Sequence, residues 1–284
     1  MGLSIVLLAA GEGKRMKTDL PKPLIKLGDI PMVQHSLNTS MKLNPDRLIL
    51  VTGYKKDEVK KYVLAENSGD FIFCEQKERL GTGHAVKQAL PYLPENGKTL
   101  ILYADVPLVS LGTLRKLIRS CMRKKMSILT ADIDNPTGYG RIVRDKKDSP
   151  VLIREQADAN KAEKSIKEIF SGIMVIENKH LKKGVNGLVR SNVKGEYYLT
   201  DLVEFSSRRK HNVGTVKSDV REVLGANNKE ELTELYQSMT KLNIDAVSKK
   251  GVFFKDPSSC FIEGHLKTGK DVSIGNNVTF KGSV

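Results

Sequence analysis

The sequence predicts a mostly parallel α/β sheet, then a helical arm, then the start of a parallel β-helix, and three observations carry this. Over residues 1–228, short apolar runs alternate with amphipathic stretches, the rhythm of strands joined by helical crossovers. The first run empties into a glycine-punctuated loop, Ala9-Ala10-Gly11-Glu12-Gly13-Lys14-Arg15. Beyond residue 250, Leu266, Val272, Val278 and Val284 recur every six positions, and Ile262, Ile274 and Phe280 keep the same period in a second phase. A hexapeptide period belongs to a β-helix, whose coils stack on one another. The expected divisions are therefore a sheet domain over 1–228, an arm over 229–250 and the coil segment 251–284, which holds barely one coil.

Residues 3–8 are apolar enough for a strand buried on both faces. Residues 32–37 open an amphipathic helix, 47–53 read as the next strand, and helix 57–64 and strand 71–74 continue the alternation. Strands follow over 99–104, 127–131, 151–155 and 169–176. Val213 to Val216 and Val223-Leu224 are expected to close the sheet, and Asn228 suits the cap of an amphipathic helix over 229–242. In open α/β sheets of this Rossmann-like kind, ligands gather beyond the carboxyl ends of strands, so the residues just past each strand are the candidates.

Composition narrows the classes of function. The net charge is +14, but the lysines are scattered in pairs such as Lys55-Lys56 and Lys249-Lys250, without interleaved aromatics or a nucleic-acid module. That pattern is a solvated basic surface that attracts polyanionic substrates, not a nucleic-acid interface. No apolar run approaches the ~20 residues of a membrane helix, and the first residues lack the pattern of a secretory signal, so the expectation is a cytoplasmic protein without membrane contact. Cys74, Cys121 and Cys260 are too scattered for a zinc site or disulfide framework and read as small buried hydrophobes.

Several stretches past the strands carry chemistry. The small residues of the first loop let backbone N–H groups approach an anion, while Arg15 and Lys22 add positive charge. The loop fits neither the three-glycine dinucleotide fingerprint nor the Walker A pattern, and an ordinary tight turn remains open as its alternative. Lys22 lies between Pro21 and Pro23, which stiffen the chain around it. Gln76 and the run Leu80-Gly81-Thr82-Gly83-His84 offer a flat approach and polar edges to a base, or a loop with Thr82 as helix cap. Asp105, at the end of a strand and before Pro107, suits a hard cation or a turn. Gly138-Tyr139-Gly140, Glu155 and the run Glu196-Tyr197-Tyr198-Leu199-Thr200 suit sugar hydroxyls, and Asn227 can supply a second neutral oxygen beside Asp105.

The order of these motifs resembles the sugar-1-phosphate nucleotidyltransferases over essentially the whole chain. Within them it is most similar to the uridyltransferase half of the bacterial bifunctional enzymes that also acetylate glucosamine 1-phosphate. The resemblance implies a Rossmann-like nucleotidyltransferase domain followed by an incomplete left-handed β-helix. It implies that Leu8, Ala9, Ala10, Gly11, Gly13, Arg15 and Lys22 bind the triphosphate, and that Gln76, Gly81, Thr82, Tyr103 and Asp105 line the nucleotide site. Asp105 and Asn227 are expected to hold Mg²⁺. Gly140, Glu155, Tyr198, Thr200 and Asn227 match the sugar-binding positions, and Arg15, Lys22 and Asp105 the catalytic ones. The substrates implied are UTP and N-acetylglucosamine 1-phosphate, and such coils usually assemble as trimers.

One position departs from that family. Where its members read Glu-Ile-Asn-Thr/Ser-Gly, with the Asn on the sugar, this chain has Glu168-Ile169-Phe170-Ser171-Gly172, so the acceptor sugar is less determined than the nucleotide. A different sugar-1-phosphate or dTTP is the rival within the class. A non-catalytic nucleotide-sugar-binding subunit is the rival outside it.

Overall fold

The computed structural model describes residues 2–190 and 192–284. β1 (Leu3–Ala9) shows the alternation of a strand covered on both sides: Ile5, Leu7 and Ala9 enter one core, Val6 and Leu8 the other. A small ribbon of β2 (Lys26–Leu27) and β3 (Ile30–Pro31) leads to α1 (Met32–Met41), β4 (Arg47–Thr52), α2 (Lys56–Glu66) and β5 (Phe71–Glu75). Next come α3 (Thr82–Ala89), β6 (Lys98–Tyr103), α4 (Leu111–Ser120) and β7 (Met126–Asp132). The hairpin of β8 (Gly140–Arg144) and β9 (Pro150–Arg154) precedes the single turn α5 (Lys161–Lys164), β10 (Glu168–Glu177) and α6 (Asn178–Asn186). After α7 (Asp201–Arg208) and β11 (Val213–Lys217), α8 (Lys229–Ser248) runs to the coil strands β12 (Phe253–Phe254), β13 (Phe261–Ile262), β14 (Ser273–Ile274) and β15 (Thr279–Phe280).

The main sheet has the order β11-β7-β10-β6-β1-β4-β5, with the hairpin attached where β8 pairs with β10. Only β10 is reversed along that path, lying antiparallel to both β6 and β7. Val33 and Leu37 of α1, Val59 and Val63 of α2, and Leu114 and Leu117 of α4 fill one core. Ala85 and Val86 of α3, Leu181 of α6 and Leu202 of α7 fill the opposite one. Between Phe170 and Met174 the register of β10 shifts, and Gly172 there adopts φ +89°. A Cβ at Gly172 would sit 3.0 Å from the Tyr103 ring, so the bulge lets the strand pass close to that ring.

Two expectations fail here. Val223-Leu224 forms no strand: a 3₁₀ turn over Val220–Glu222, capped by Asp219, replaces it. The Arg221 guanidinium binds Asp219 and also Asp245 of α8 at 2.7 Å, which ties this turn to α8 and not to a strand, while Val223 is buried by packing. The coil segment also holds more than barely one coil. β13 pairs with β15 eighteen residues later, a bridge joins His265 to Ser283 at the same spacing, and β12 pairs with β14. One coil and most of a second are therefore present, three hexapeptides to a coil. Ile244 and Val247 of α8 share a core with Phe254, Cys260, Ile262, Leu266 and Ile274, so the arm covers the apolar inside of the coils. All three cysteines are free and buried, and among the described residues no helix is long and apolar enough to cross a membrane.

Candidate active site

The carboxyl ends of β1, β5 and β6 open into one cleft of about 250 Å³, lined by Leu8, Ala9, Ala10, Gly11, Lys22, Gln76, Gly81, Thr82, Tyr103 and Asp105, with Arg79 and Glu196 at its edge. The loop after β1 is held by Met16, which is fully buried, and by the left-handed turns at Gly13 (φ +76°) and Lys17 (φ +50°). Among the described residues, the N–H groups of Gly11, Glu12 and Gly13 donate to no protein acceptor. The glycines serve a further purpose that the sequence did not disclose. A Cβ on Gly13 would lie 3.1 Å from Lys22 Cβ, and one on Gly11 3.5 Å from Lys22 Cδ, so the loop is the bed on which the lysine stem rests.

Pro23 sits in the short 3₁₀ turn Lys22–Leu24, which fixes where Lys22 emerges. Its ammonium, though almost buried, is held by two oxygens from distant parts of the chain: it pairs with Asp105 Oδ2 and donates to Asn227 Oδ1 at 2.8 Å. Asp105 follows β6 in a turn closed by Val106 N–H to the Tyr103 carbonyl, 3.2 Å. Segment 225–227 reaches it because Gly225 has no side chain: a Cβ there would stand 3.0 Å from the Asp105 carbonyl oxygen. Arg15 is exposed and lines an adjoining hollow with Lys14, Lys22, Arg79 and Asn227.

At the other end of the cleft, Gln76 donates its side-chain N–H to the Gly81 carbonyl at 3.0 Å and lies 3.3 Å from His84 Nδ1. Its Oε1 accepts from no described residue, which leaves an acceptor for a ligand N–H. Gly81 adopts φ +102°, and a Cβ there would stand 2.6 Å from the Tyr197 carbonyl oxygen. α3 begins at Thr82 with Gly81 before it as the cap residue, so Thr82 is not its cap. Its hydroxyl instead accepts the Leu199 N–H at 3.1 Å, while Gly83 N–H donates to the Tyr197 carbonyl at 2.8 Å. Burial raises the phenol pKa of Tyr103, with a bond to Thr82 opposing it.

The expected sugar residues form a second cluster. Thr200 Oγ1 donates to Glu155 Oε1 at 3.0 Å, and burial raises the Glu155 pKa against that bond. Gly140 stands opposite Phe170 in the β8/β10 pair, and a Cβ on it would lie 3.7 Å from the Glu155 carboxylate. Glu155 and Tyr198 do not line the cleft with Lys22, however; they line a neighbouring hollow of about 460 Å³ that also includes Asp158 and Asp201. Tyr198 is buried with its hydroxyl unpartnered among the described residues, and burial raises its pKa. Arg79, which pairs with Glu12 across the cleft mouth, and Glu231, which holds Asn227, were not singled out from the sequence. Their only sequence signals are an arginine just before the Leu-Gly-Thr-Gly run and an acid three residues into a capped helix.

A family model described as the MobA-like NTP transferase domain matches residues 5–170, more than half of the chain. The chain belongs to this family. The MobA-like NTP transferase match stops inside β10, while similarity to individual proteins runs further. The chain is 40% identical over 285 residues to the bifunctional protein GlmU of Idiomarina loihiensis, covering 100% of this chain and 62% of that one. It is 43% identical over 283 residues to that of Cupriavidus taiwanensis, covering 99% and 62%. The chain thus spans less than two thirds of the length of these curated relatives. Among solved structures, a UDP-glucose pyrophosphorylase complexed with UDP-glucose superposes with TM-score 0.68 at 17% identity, covering 88% of this chain and 100% of that one. An inositol-1-phosphate CTP transferase from T. maritima gives 0.66 at 16%, covering 84% and 96%. At such identities these two speak for the fold, a Rossmann-like nucleotidyltransferase sheet.

Proposed function

We propose that this chain transfers a uridylyl group from UTP to N-acetylglucosamine 1-phosphate, releasing pyrophosphate. The observation that carries the proposal is the meeting of Lys22, Asp105 and Asn227 at the end of a glycine-lined cleft whose far end offers the Gln76 acceptor. The bifunctional relatives support it, and so does the order of motifs along the chain.

The residues fit a divalent cation. Asp105 and Asn227 each aim an oxygen at one positively charged point, and hard cations take oxygen ligands. Among the described residues no group of three or more His, Cys, Asp or Glu could hold a metal, so such an ion would keep water and substrate phosphate as its remaining ligands, as Mg²⁺ usually does. Bound there, Mg²⁺ would neutralise phosphate charge.

The loop N–H groups, Arg15 and Lys22 bind the triphosphate and stabilise the charge that builds on the departing pyrophosphate. Gln76 Oε1 accepts the N3–H of uracil, and Gly81 lets the ring lie against backbone. An oxygen of the sugar phosphate attacks the α-phosphorus in line; the new P–O bond forms as the bond to pyrophosphate breaks. That oxygen is already ionised, so no general base is needed, and the chain contributes positioning and charge. Glu155, Thr200, Gly140 and Tyr198 hold the sugar.

Phe170 favours a second reading on one point, an acceptor other than N-acetylglucosamine 1-phosphate, or dTTP as donor. A panel of sugar 1-phosphates and nucleotides, followed by pyrophosphate release, separates the two. The fastest pair is expected to be UTP with N-acetylglucosamine 1-phosphate, and Asp105→Ala should abolish release while the melting curve is kept. No release from any pair would overturn the proposal. On the same reading the enzyme works in the cytoplasm, and a completed, left-handed run of coils assembles it as a trimer.

A further inference from the structure

We infer that Glu231 is a positioning residue that turns the Asn227 side-chain amide so that its oxygen, and not its nitrogen, faces Lys22 and Asp105. The inference rests on the function proposed above only in taking that oxygen to be a cation ligand. An asparagine amide has two ends of nearly the same shape, one an acceptor and one a double donor. Asn227 Oδ1 accepts from Lys22 Nζ at 2.8 Å, while Nδ2 donates to Glu231 Oε2 at 2.9 Å. The same carboxylate oxygen accepts the backbone N–H of Asn227 at 2.8 Å, and Glu231 Oε1 accepts from Asn228 Nδ2 at 2.9 Å. A carboxylate has no proton to give, so the amide can meet it only through nitrogen. A flipped amide would set oxygen against carboxylate and N–H against ammonium, two repulsions at once.

Helix capping alone does not account for this arrangement. Asn228 caps α8 by accepting the Glu231 N–H at 2.8 Å. In a capping box the third residue's carboxylate returns to the backbone N–H of the cap residue itself. Here it reaches one residue further, to the backbone and side chain of Asn227. A hard cation takes the amide oxygen and not the nitrogen, so the orientation that Glu231 enforces is the one a cation requires.

The test uses the full chain and MnCl₂ as the probe, with free Mn²⁺ followed by electron paramagnetic resonance in the presence of UTP. Glu231→Gln keeps the side-chain size but lets either end of the amide face it. It is expected to weaken Mn²⁺ binding about tenfold, the lower end of what removing an outer partner of a metal ligand costs, with the melting temperature little changed. In an Asn227→Asp background either end presents oxygen, orientation becomes redundant, and Glu231→Gln should no longer weaken Mn²⁺. Unchanged Mn²⁺ affinity in Glu231→Gln, or an equal loss in the Asn227→Asp background, would overturn the inference, as would a parent chain that binds no Mn²⁺ with UTP. Failure of the proposed reaction looks different: Mn²⁺ binding would depend on Glu231 as described, yet no sugar phosphate would release pyrophosphate.

Discussion

Lys22 spans 205 positions of sequence in one hydrogen bond, and its ammonium meets an acid that is itself 83 positions away. Its stem lies on Gly11 and Gly13, so Lys22→Met keeps the packing and removes the charge together with its contacts to Asp105 and Asn227. We expect that variant to lose at least about 100-fold in kcat/KM for pyrophosphate release, the scale of losing one preorganised charge donor, while melting within a few degrees of the parent; activity within threefold would exclude Lys22 from the chemistry. A second residue-scale prediction concerns pH. Burial, with Glu204, Glu155 and Asp158 nearby, pushes the Asp201 carboxyl up to about 6. In the unfolded chain an aspartate titrates near ~3.9, so between those values the folded chain holds a proton that the unfolded chain has lost. The contribution of Asp201 to stability is therefore fullest below about pH 4 and is lost as pH rises through about 6. Asp201→Asn should melt above the parent at neutral pH and level with it in acid; level melting at both would contradict this. Lys22, Asp105 and Asn227 could be singled out because each stands directly past an apolar run or beside a proline or helix cap, and Arg15 because it adds charge to the glycine loop after the first run. Arg79 and Glu231 were not, because their partners, Glu12 and Asn227, are recognised only once the chain has folded.

At the scale of elements, the entry to α3 shows how the nucleotide cleft is shaped by its neighbour. Leu80, Gly81, Thr82 and Gly83 are joined to segment 197–199 by three hydrogen bonds of 2.8, 2.8 and 3.1 Å, and Gly81 must pass against the Tyr197 carbonyl. Gly81→Ala, disfavoured both by its positive φ and by that approach, is expected to weaken UTP binding and to lower stability by about 1 kcal/mol or more; calorimetric UTP binding equal to the parent's would show that the cleft tolerates the shift. Phe170 belongs to this scale too, since it is buried in the β10 bulge opposite Gly140 and Thr130. Phe170→Asn removes a buried ring and should cost about 3 kcal/mol in urea unfolding, whatever it does to the choice of sugar. Most strands could be located from their β-branched runs. The direction of β10 could not, because a strand covered on both faces carries the same apolar pattern whichever way it runs. The Val223-Leu224 pair misled for a related reason: apolar residues buried by packing look the same in sequence as residues buried in a ladder.

For the molecule as a whole, α8 ties the cleft to the coils. Its Leu235 and Met239 share a core with Met16 at the end of the first loop and with Ile25, Leu27 and Met32, while Tyr236 donates to Glu263 of the first coil at 2.6 Å. Removing residues 251–284 would expose Ile244 and Val247 on the opposite side of that helix. We expect the shortened chain to melt several degrees lower, and an unchanged melting temperature would mean that the coils add nothing to the sheet domain. The hexapeptide period announced those coils, but not how α8 would cover them, because period alone says nothing of which partner closes an apolar face. The place of β10 has a consequence during synthesis. β6 and β7 follow one another along the chain yet are never neighbours, since the gap between them waits for a segment made some forty residues after β7 begins. Until Glu177 has left the ribosome, a nascent chain carries two open strand edges facing a slot that any other β segment could enter. Translation of this region is thus the interval in which a chaperone would matter most, and a polypeptide stopped at residue 165 should appear in the pellet where the 284-residue chain stays in solution.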